Sequence, residues 1–334
     1  MANATSAGWE NLPVYLMYCT QGIVIGGSNF VISFSILRYE ALRTSKEYLI
    51  LLGLSMADGA NTSGFLAAGA YRIYLLAIEA HNTLKPAFEC ALMLHNILLT
   101  VGMAWANSML MVVSLDRLLC VASPLTYIGW SARYARFMLS VAFLLGLANF
   151  SAYALMTYLG DDGAPSVMAP CVTYHALRVT PSSFSAVFQS VPSTLAFSSV
   201  ILYVAVWIGH KRHLNQVLAL NPSGGESQAE QVERQRRMTV SLGISCCCTF
   251  MLFCVPMILA NLLLLLGFKS VPLLFYMLST FNPLCNVFIY QIRHKELRMA
   301  LRGMFVGKTL PLDVRLWQSA ATVMRNTAGA RKVA

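Results

Sequence analysis

Ser114-Leu115-Asp116-Arg117-Leu118-Leu119-Cys120-Val121-Ala122-Ser123-Pro124-Leu125-Thr126-Tyr127 closes an apolar run that begins at residue 88. A helix crossing a bilayer needs about 20 mostly apolar residues, and this run is long enough before its acid–base pair ends it. Working outward, six further runs of the same kind stand at 12–37, 47–76, 134–159, 184–209, 238–266 and 271–291. None reads as a strand. A backbone inside lipid must satisfy its own hydrogen bonds, so the predicted fold is an all-α membrane protein, a bundle of seven transmembrane helices.

Composition agrees. Apolar residues make up 57% of the chain and charged residues 11%, against roughly 25% charged in a soluble domain. So few charges cannot cover a soluble surface of this size, whereas lipid solvates an apolar exterior. The net charge of +10 does not point to nucleic acid, because the charges sit between apolar runs and read as membrane-orienting. All but four of the 24 Lys and Arg lie after the first, third, fifth and seventh runs; the exceptions are Arg72, Lys85, Arg178 and Lys269. The basic side is expected in the cytosol, with segment 1–11 outside. Residues 12–291 then form the bundle, and 306–334 a cytosolic tail. Asn3-Ala4-Thr5 is a glycosylation sequon on the expected outer side. The first dozen residues are polar and lack Lys or Arg, so the first run reads as a signal anchor rather than a cleaved signal.

Between residues 292 and 305, Leu297, Leu301, Met304 and Phe305 share one face, flanked by Arg293, Lys295, Arg298 and Arg302. This is the pattern of an amphipathic helix on the inner membrane surface. No Cys follows Cys285, which excludes a palmitate anchor there. The nine Cys make no CxxC pair with a His partner, so neither a zinc site nor any cofactor is expected.

Charges and amides within spans are costly and call for a reason. Asp58 is mid-span in Leu54-Ser55-Met56-Ala57-Asp58, and the first span holds Gly26-Gly27-Ser28-Asn29. The sixth holds Phe250, Cys254 and Pro256, and the seventh Asn282-Pro283-Leu284-Cys285-Asn286. With Asp116-Arg117, these landmarks in this order resemble the rhodopsin-like G-protein-coupled receptors over residues 12 to 305. Asp-Arg-Leu-Leu before Ser-Pro-Leu-Thr-Tyr, and Asn-Pro-Leu-Cys-Asn-Val-Phe-Ile-Tyr before Lys-Glu-Leu-Arg, are most similar to the nematode Srsx-type chemoreceptors.

The resemblance implies a polar network of Asn29, Asp58 and Asn282. The family's hydroxyl on the third span falls on Ala106, which argues against sodium at Asp58. It implies that Arg117 is released on activation to contact a heterotrimeric G protein, with Asp116, Pro124, Phe250, Cys254, Pro256, Asn282, Pro283 and Tyr290 in the switch and coupling face. Several positions depart from the pattern. Leu118 replaces an aromatic, Cys254 a Trp and Asn286 a Tyr, with Tyr290 one turn later. Val200 replaces the Tyr below Pro192, with Tyr203 nearby. The acid expected to hold Arg117 falls on Arg236, with Glu233 nearly a turn earlier. Like charges there would raise basal signalling.

Cys90 and Cys171 are the disulfide candidates, both on the expected oxidising side. Cys90 lies about two residues further from Arg117 than the family's spacing, or ~3 Å along a helix. The amine-binding Asp of related receptors falls on Leu99, which argues against an amine ligand. Candidate pocket residues are Leu99, Met103, Phe188, Gln189, Met257, Asn261 and Tyr276, a mostly apolar set suited to a small odorant-like or lipid-like molecule. By resemblance the protein is a plasma-membrane chemosensory receptor, in sensory-neuron cilia, whose partners are an extracellular small molecule or peptide, a G protein and membrane lipid, but no nucleic acid. A neuropeptide receptor is the alternative within the family. A transporter or channel would need more carboxylates deep in the spans than Asp58. A membrane enzyme would need a His-rich, Ser-His or paired-carboxylate constellation, and none stands out.

Overall fold

A computed structural model describes residues 9–220, 240, 243–244, 247–265, 278, 281–293 and 295–306. Asn3, Glu233, Arg236, Tyr276 and the tail after 306 lie outside the described residues, as do the side chains of Pro124, Gln189, Asn261 and Phe305. The bundle is built from α1 (Trp9–Arg38), α2 (Lys46–Ala77), α3 (Leu94–Ala122), α4 (Ala132–Gly160), α5 (Ser182–Leu220), α6 (residues 250–265), α7 (Asn282–Arg293) and α8 (Lys295–Val306). Trp9–Arg38, Leu94–Ala122, Ala132–Gly160 and Ser182–Gly209 are each long and apolar enough to cross a membrane. At 32 residues α2 is long enough as well, about 48 Å at 1.5 Å per residue. Its polar Asp58, Thr62 and Arg72 are buried within the bundle, where protein rather than lipid surrounds them.

α3 is the central helix, packed on α2, α4 and α5. Every residue from Ala104 to Leu110 is buried, as expected for a helix enclosed on all sides. α4 shows the opposite pattern. It buries only Ala135, Ala142, Gly146, Tyr153 and Thr157, a narrow seam at intervals of seven and four residues. Much of the rest of α4, including Phe137, Leu144, Leu155 and Leu159, is exposed. Such an apolar face is stable against lipid and not against water.

The apolar run 88–120 is not one helix. Ala87–Ala91 forms a short helix, Met93 turns extended (φ −63°, ψ 139°), and α3 starts at Leu94. The Asn96 amide donates to the Cys90 carbonyl at 2.6 Å and so closes the short helix. Cys90 therefore sits off the α3 axis, which accounts for its long separation from Arg117. At this end β1 (Leu84–Lys85) pairs antiparallel with β2 (Val167–Met168), Leu84 opposite Met168. At the opposite end α8 lies against α1. It buries Leu297 and Ala300 and leaves Arg302 exposed, and Tyr48 ties it to α2 by donating to Glu296 at 2.9 Å.

Small residues allow this packing. A Cβ on Gly102 of α3 would run into the backbone of Asn61 in α2, whereas one on Gly27 of α1 would meet nothing within 4 Å. The same substitution should thus act with opposite sign. Gly102→Ala is expected to destabilise the bundle by about 1–3 kcal/mol through overpacking. Gly27→Ala should stabilise α1 by roughly 0.5–1 kcal/mol, since Gly in a helix costs more chain entropy than Ala. Thermal unfolding of the two variants in detergent checks both.

Candidate receptor switch and ligand end

Near its last turn, α3 places Asp116 and Arg117 side by side, and both are buried. Arg117 Nη2 donates to Asp116 Oδ2 at 2.6 Å. The Tyr127 hydroxyl completes a triangle: it donates to both Asp116 oxygens at 3.1 Å and lies 3.3 Å from Arg117 Nη2. Tyr127 is supplied by the short helix Pro124–Gly129, which has Pro124 in its first turn, a position suited to a residue with no N–H to donate. Lys46, at the start of α2, donates to the Tyr127 carbonyl and lies 3.5 Å over its ring. Burial, before any nearby charge, pushes the Tyr127 phenol up, so it stays a donor at ordinary pH. Tyr127 and Lys46 had no role assigned from sequence; the cue was the Ser-Pro-Leu-Thr-Tyr stretch itself.

Among the described residues, the mid-bundle polar side chains make several contacts within and between the helices. Asn29 of α1 donates to Ile25 at 3.0 Å and accepts from Ser55 of α2 at 3.0 Å. Asn282 of α7 accepts from Thr249 at 3.1 Å. Asp58 is buried beside Asn286. Asn286, noted in the sequence only for replacing a Tyr, is thus the α7 residue that meets Asp58. Pro283 and Tyr290 are buried on the same helix, Tyr290 in the α1–α2–α3 core. Tyr203, not Val200, reaches the sixth span: its hydroxyl stands 2.7 Å from where a Gly243 Cβ would lie.

The expected pocket residues divide into three groups. Met103, Phe250, Phe253, Cys254 and Met257 pack together with Ala196 between α3, α5 and α6, and Pro256 is buried beside them in sequence. Leu99, expected on the pocket wall, packs against the cluster that holds Tyr18 and Phe65 of α1 and α2, because Gly64 lets α2 approach its backbone; a Cβ there would come within 2.8 Å of the Leu99 nitrogen. Phe188 stacks on Tyr153 at 5.2 Å and Phe184 at 5.9 Å, in the cluster around the disulfide.

That disulfide joins Cys90 and Cys171. Cys171 has a positive φ of 49°, unusual for a residue with a side chain. Its carbonyl meets His95 Nε2 at 3.2 Å and accepts from Asn96 Nδ2 at 3.0 Å. Thr173 donates to Asn96 Oδ1 at 2.7 Å, and Arg72 Nε donates to the Pro170 carbonyl at 3.2 Å. The segment after β2 is therefore pinned across the ends of α2 and α3. Among the described residues, no group of three or more His, Cys, Asp or Glu could hold a metal ion.

The family model described as serpentine type 7TM GPCR chemoreceptor Srsx matches residues 22–305, most of the chain. No curated protein matches it.

Proposed function

We propose that this chain, which belongs to the serpentine 7TM chemoreceptor family Srsx, is a plasma-membrane receptor that binds a small extracellular chemosensory molecule and activates a heterotrimeric G protein. The observation that carries this reading is the Arg117 lock. A guanidinium at the end of the central helix is buried on Asp116 and Tyr127, and only a rearrangement of the bundle would expose it. Ligand-driven opening of a cleft around Arg117 is such a rearrangement.

Two independent arguments support one orientation. Lys and Arg concentrate after the odd-numbered spans, which places that side in the cytosol. The Cys90–Cys171 bridge at the other end belongs in an oxidising compartment. Both support an orientation with the N-terminus and the disulfide outside and Arg117, the Pro124–Gly129 helix and α8 inside. The Met103–Phe250–Met257 cluster supports a mostly apolar ligand, since Met and aromatic side chains repack around one easily.

The test is a ligand screen in transfected cells with a generic G-protein readout, repeated with Arg117→Ala. An agonist response is expected from the native chain and a loss of at least about 100-fold in coupling efficacy from the variant at equal surface level, in line with removal of a bidentate charged contact. Ion current or solute flux with no G-protein response would overturn the reading.

A further inference from the structure

Arg72 is a full charge that the switch does not use. It is 7% exposed, near the disulfide end of α2, and no carboxylate pairs with it among the described residues. The acids of this end are few. Glu89 binds Lys85, Asp161 accepts from the Phe88 and Gly163 amides, and Asp162 accepts from the Ala164 amide. Glu10 lies in the first turn of α1 and Glu79 follows α2, neither in an ion pair. Residues 1–8 and 266–280 contain no Asp or Glu at all. A buried cation without a counter-charge is costly, so this arrangement calls for a reason.

What surrounds the guanidinium suits an anion with an apolar body. Its Cζ lies 5.4 Å from the Tyr18 ring centre and 5.7 Å from that of Tyr15. One donor goes to the Pro170 carbonyl, and the Tyr18 hydroxyl lies beside the guanidinium. A guanidinium has five donors, which leaves part of the fork unused. Three residues along the same buried face of α1 from Tyr18, Gln21 is 7% exposed with both amide atoms lacking a hydrogen-bond partner. Burial and then the charges of Arg178 and Arg72 push the His175 imidazole down, so the local field is positive.

From the unpaired buried Arg72, the Tyr18 hydroxyl and the orphaned Gln21 amide, we infer a site between α1 and α2 for a small organic carboxylate. One carboxylate neutralises one guanidinium and matches its planar fork, whereas a phosphate dianion would leave a buried excess of negative charge. The aromatic walls of Tyr15, Tyr18 and Phe65 take the apolar remainder. This rests on the receptor reading and names the chemical class of its ligand.

The test uses the purified full chain in a non-ionic detergent at matched ionic strength. Its thermal unfolding is followed with phenylacetate, hexanoate and indole-3-acetate, with the amide of each acid, and with inorganic phosphate. At least one carboxylate is expected to raise Tm by about 3 °C when present about tenfold above its Kd, and its amide to give no shift. Arg72→Gln should abolish the shift, and Tyr18→Phe, a milder change that preserves packing, should weaken it several-fold. With no anion added, Arg72→Gln removes an unpaired buried charge along with the bond to the Pro170 carbonyl, so its Tm should stay within a few degrees of the native chain; a merely structural Arg72 predicts a larger loss. Equal shifts from acid and amide, no shift from any carboxylate, a shift from phosphate alone, or an unchanged shift in Tyr18→Phe overturns the proposal. The same carboxylate is then applied to transfected cells. Stabilisation without a G-protein response leaves the anion site standing and sinks the receptor reading, so the two failures are distinguishable.

Discussion

Replacing either Cys90 or Cys171 with Ser is expected to cut the surface level of the protein at least about tenfold and to lower the Tm of what remains by about 10 °C. The bridge closes a loop with a sequence separation of 81 residues, which in chain-entropy terms is worth about 4.5 kcal/mol. More is lost than the bond. The bridge holds Cys171 at φ 49°, and without it the residue relaxes toward the ordinary regions of backbone space. Its carbonyl then leaves the donors of His95 and Asn96, which are 3% and 1% exposed. A buried donor that loses its acceptor costs about 1–3 kcal/mol. The double variant should behave like either single one, since each already removes the whole interaction. Cys254→Ser, which alters a cysteine in no bridge, should leave the surface level nearly unchanged. Surface labelling and thermal unfolding of the four variants are the measurements. A native-like surface level for Cys171→Ser would mean that the hydrogen bonds alone hold the segment after β2.

The spans were legible because hydropathy reports the medium around a segment, and α1 and α3–α5 follow the apolar runs closely. The same property hid the break at Leu92 and Met93. Both residues are as apolar as their neighbours, and what turns the chain is a hydrogen bond from Asn96 to a carbonyl six residues back, which leaves no trace in hydropathy. Rotation about the helix axis was the other blind spot. The family resemblance put Leu99 on the ligand side, and the structure adds that Gly64 draws α2 against it. Asp58 stood out as a lone carboxylate, yet its neighbour was expected to be Asn282 and is Asn286, one turn on along α7. Arg72 was visible as one of four Lys and Arg outside the basic side, but no role was read for it, because a single charge in the sequence does not show whether a counter-charge meets it in the fold.

Asp116→Ala is expected to raise agonist-free G-protein activation per surface receptor by at least about tenfold. In the resting arrangement the Asp116 carboxylate is the partner that balances Arg117, at 2.6 Å and fully enclosed. Removing one member of a buried pair strands the other, at a cost of about 3–5 kcal/mol. Lys46 lies over the Tyr127 ring of the same cluster, so the variant also leaves two cations close together without the carboxylate between them. That penalty falls on the arrangement in which Arg117 is buried and is relieved wherever Arg117 is exposed. Starting from one active receptor in about a hundred, 3 kcal/mol brings the two forms near parity and 5 kcal/mol favours the active one, since about 5.5 kcal/mol inverts such a ratio completely. Tyr127→Phe removes hydrogen bonds but keeps the ion pair, so its rise should be several-fold smaller. The ordering separates this lock from one that depends on residues near Arg236. Were the sixth span the main restraint, Asp116→Ala and Tyr127→Phe would leave basal activity at the native level. With the restraint in the Asp116–Arg117–Tyr127 triangle, basal activity climbs from native to Tyr127→Phe to Asp116→Ala, and Arg117→Ala, which removes both the restrained charge and the coupling contact, stays at background.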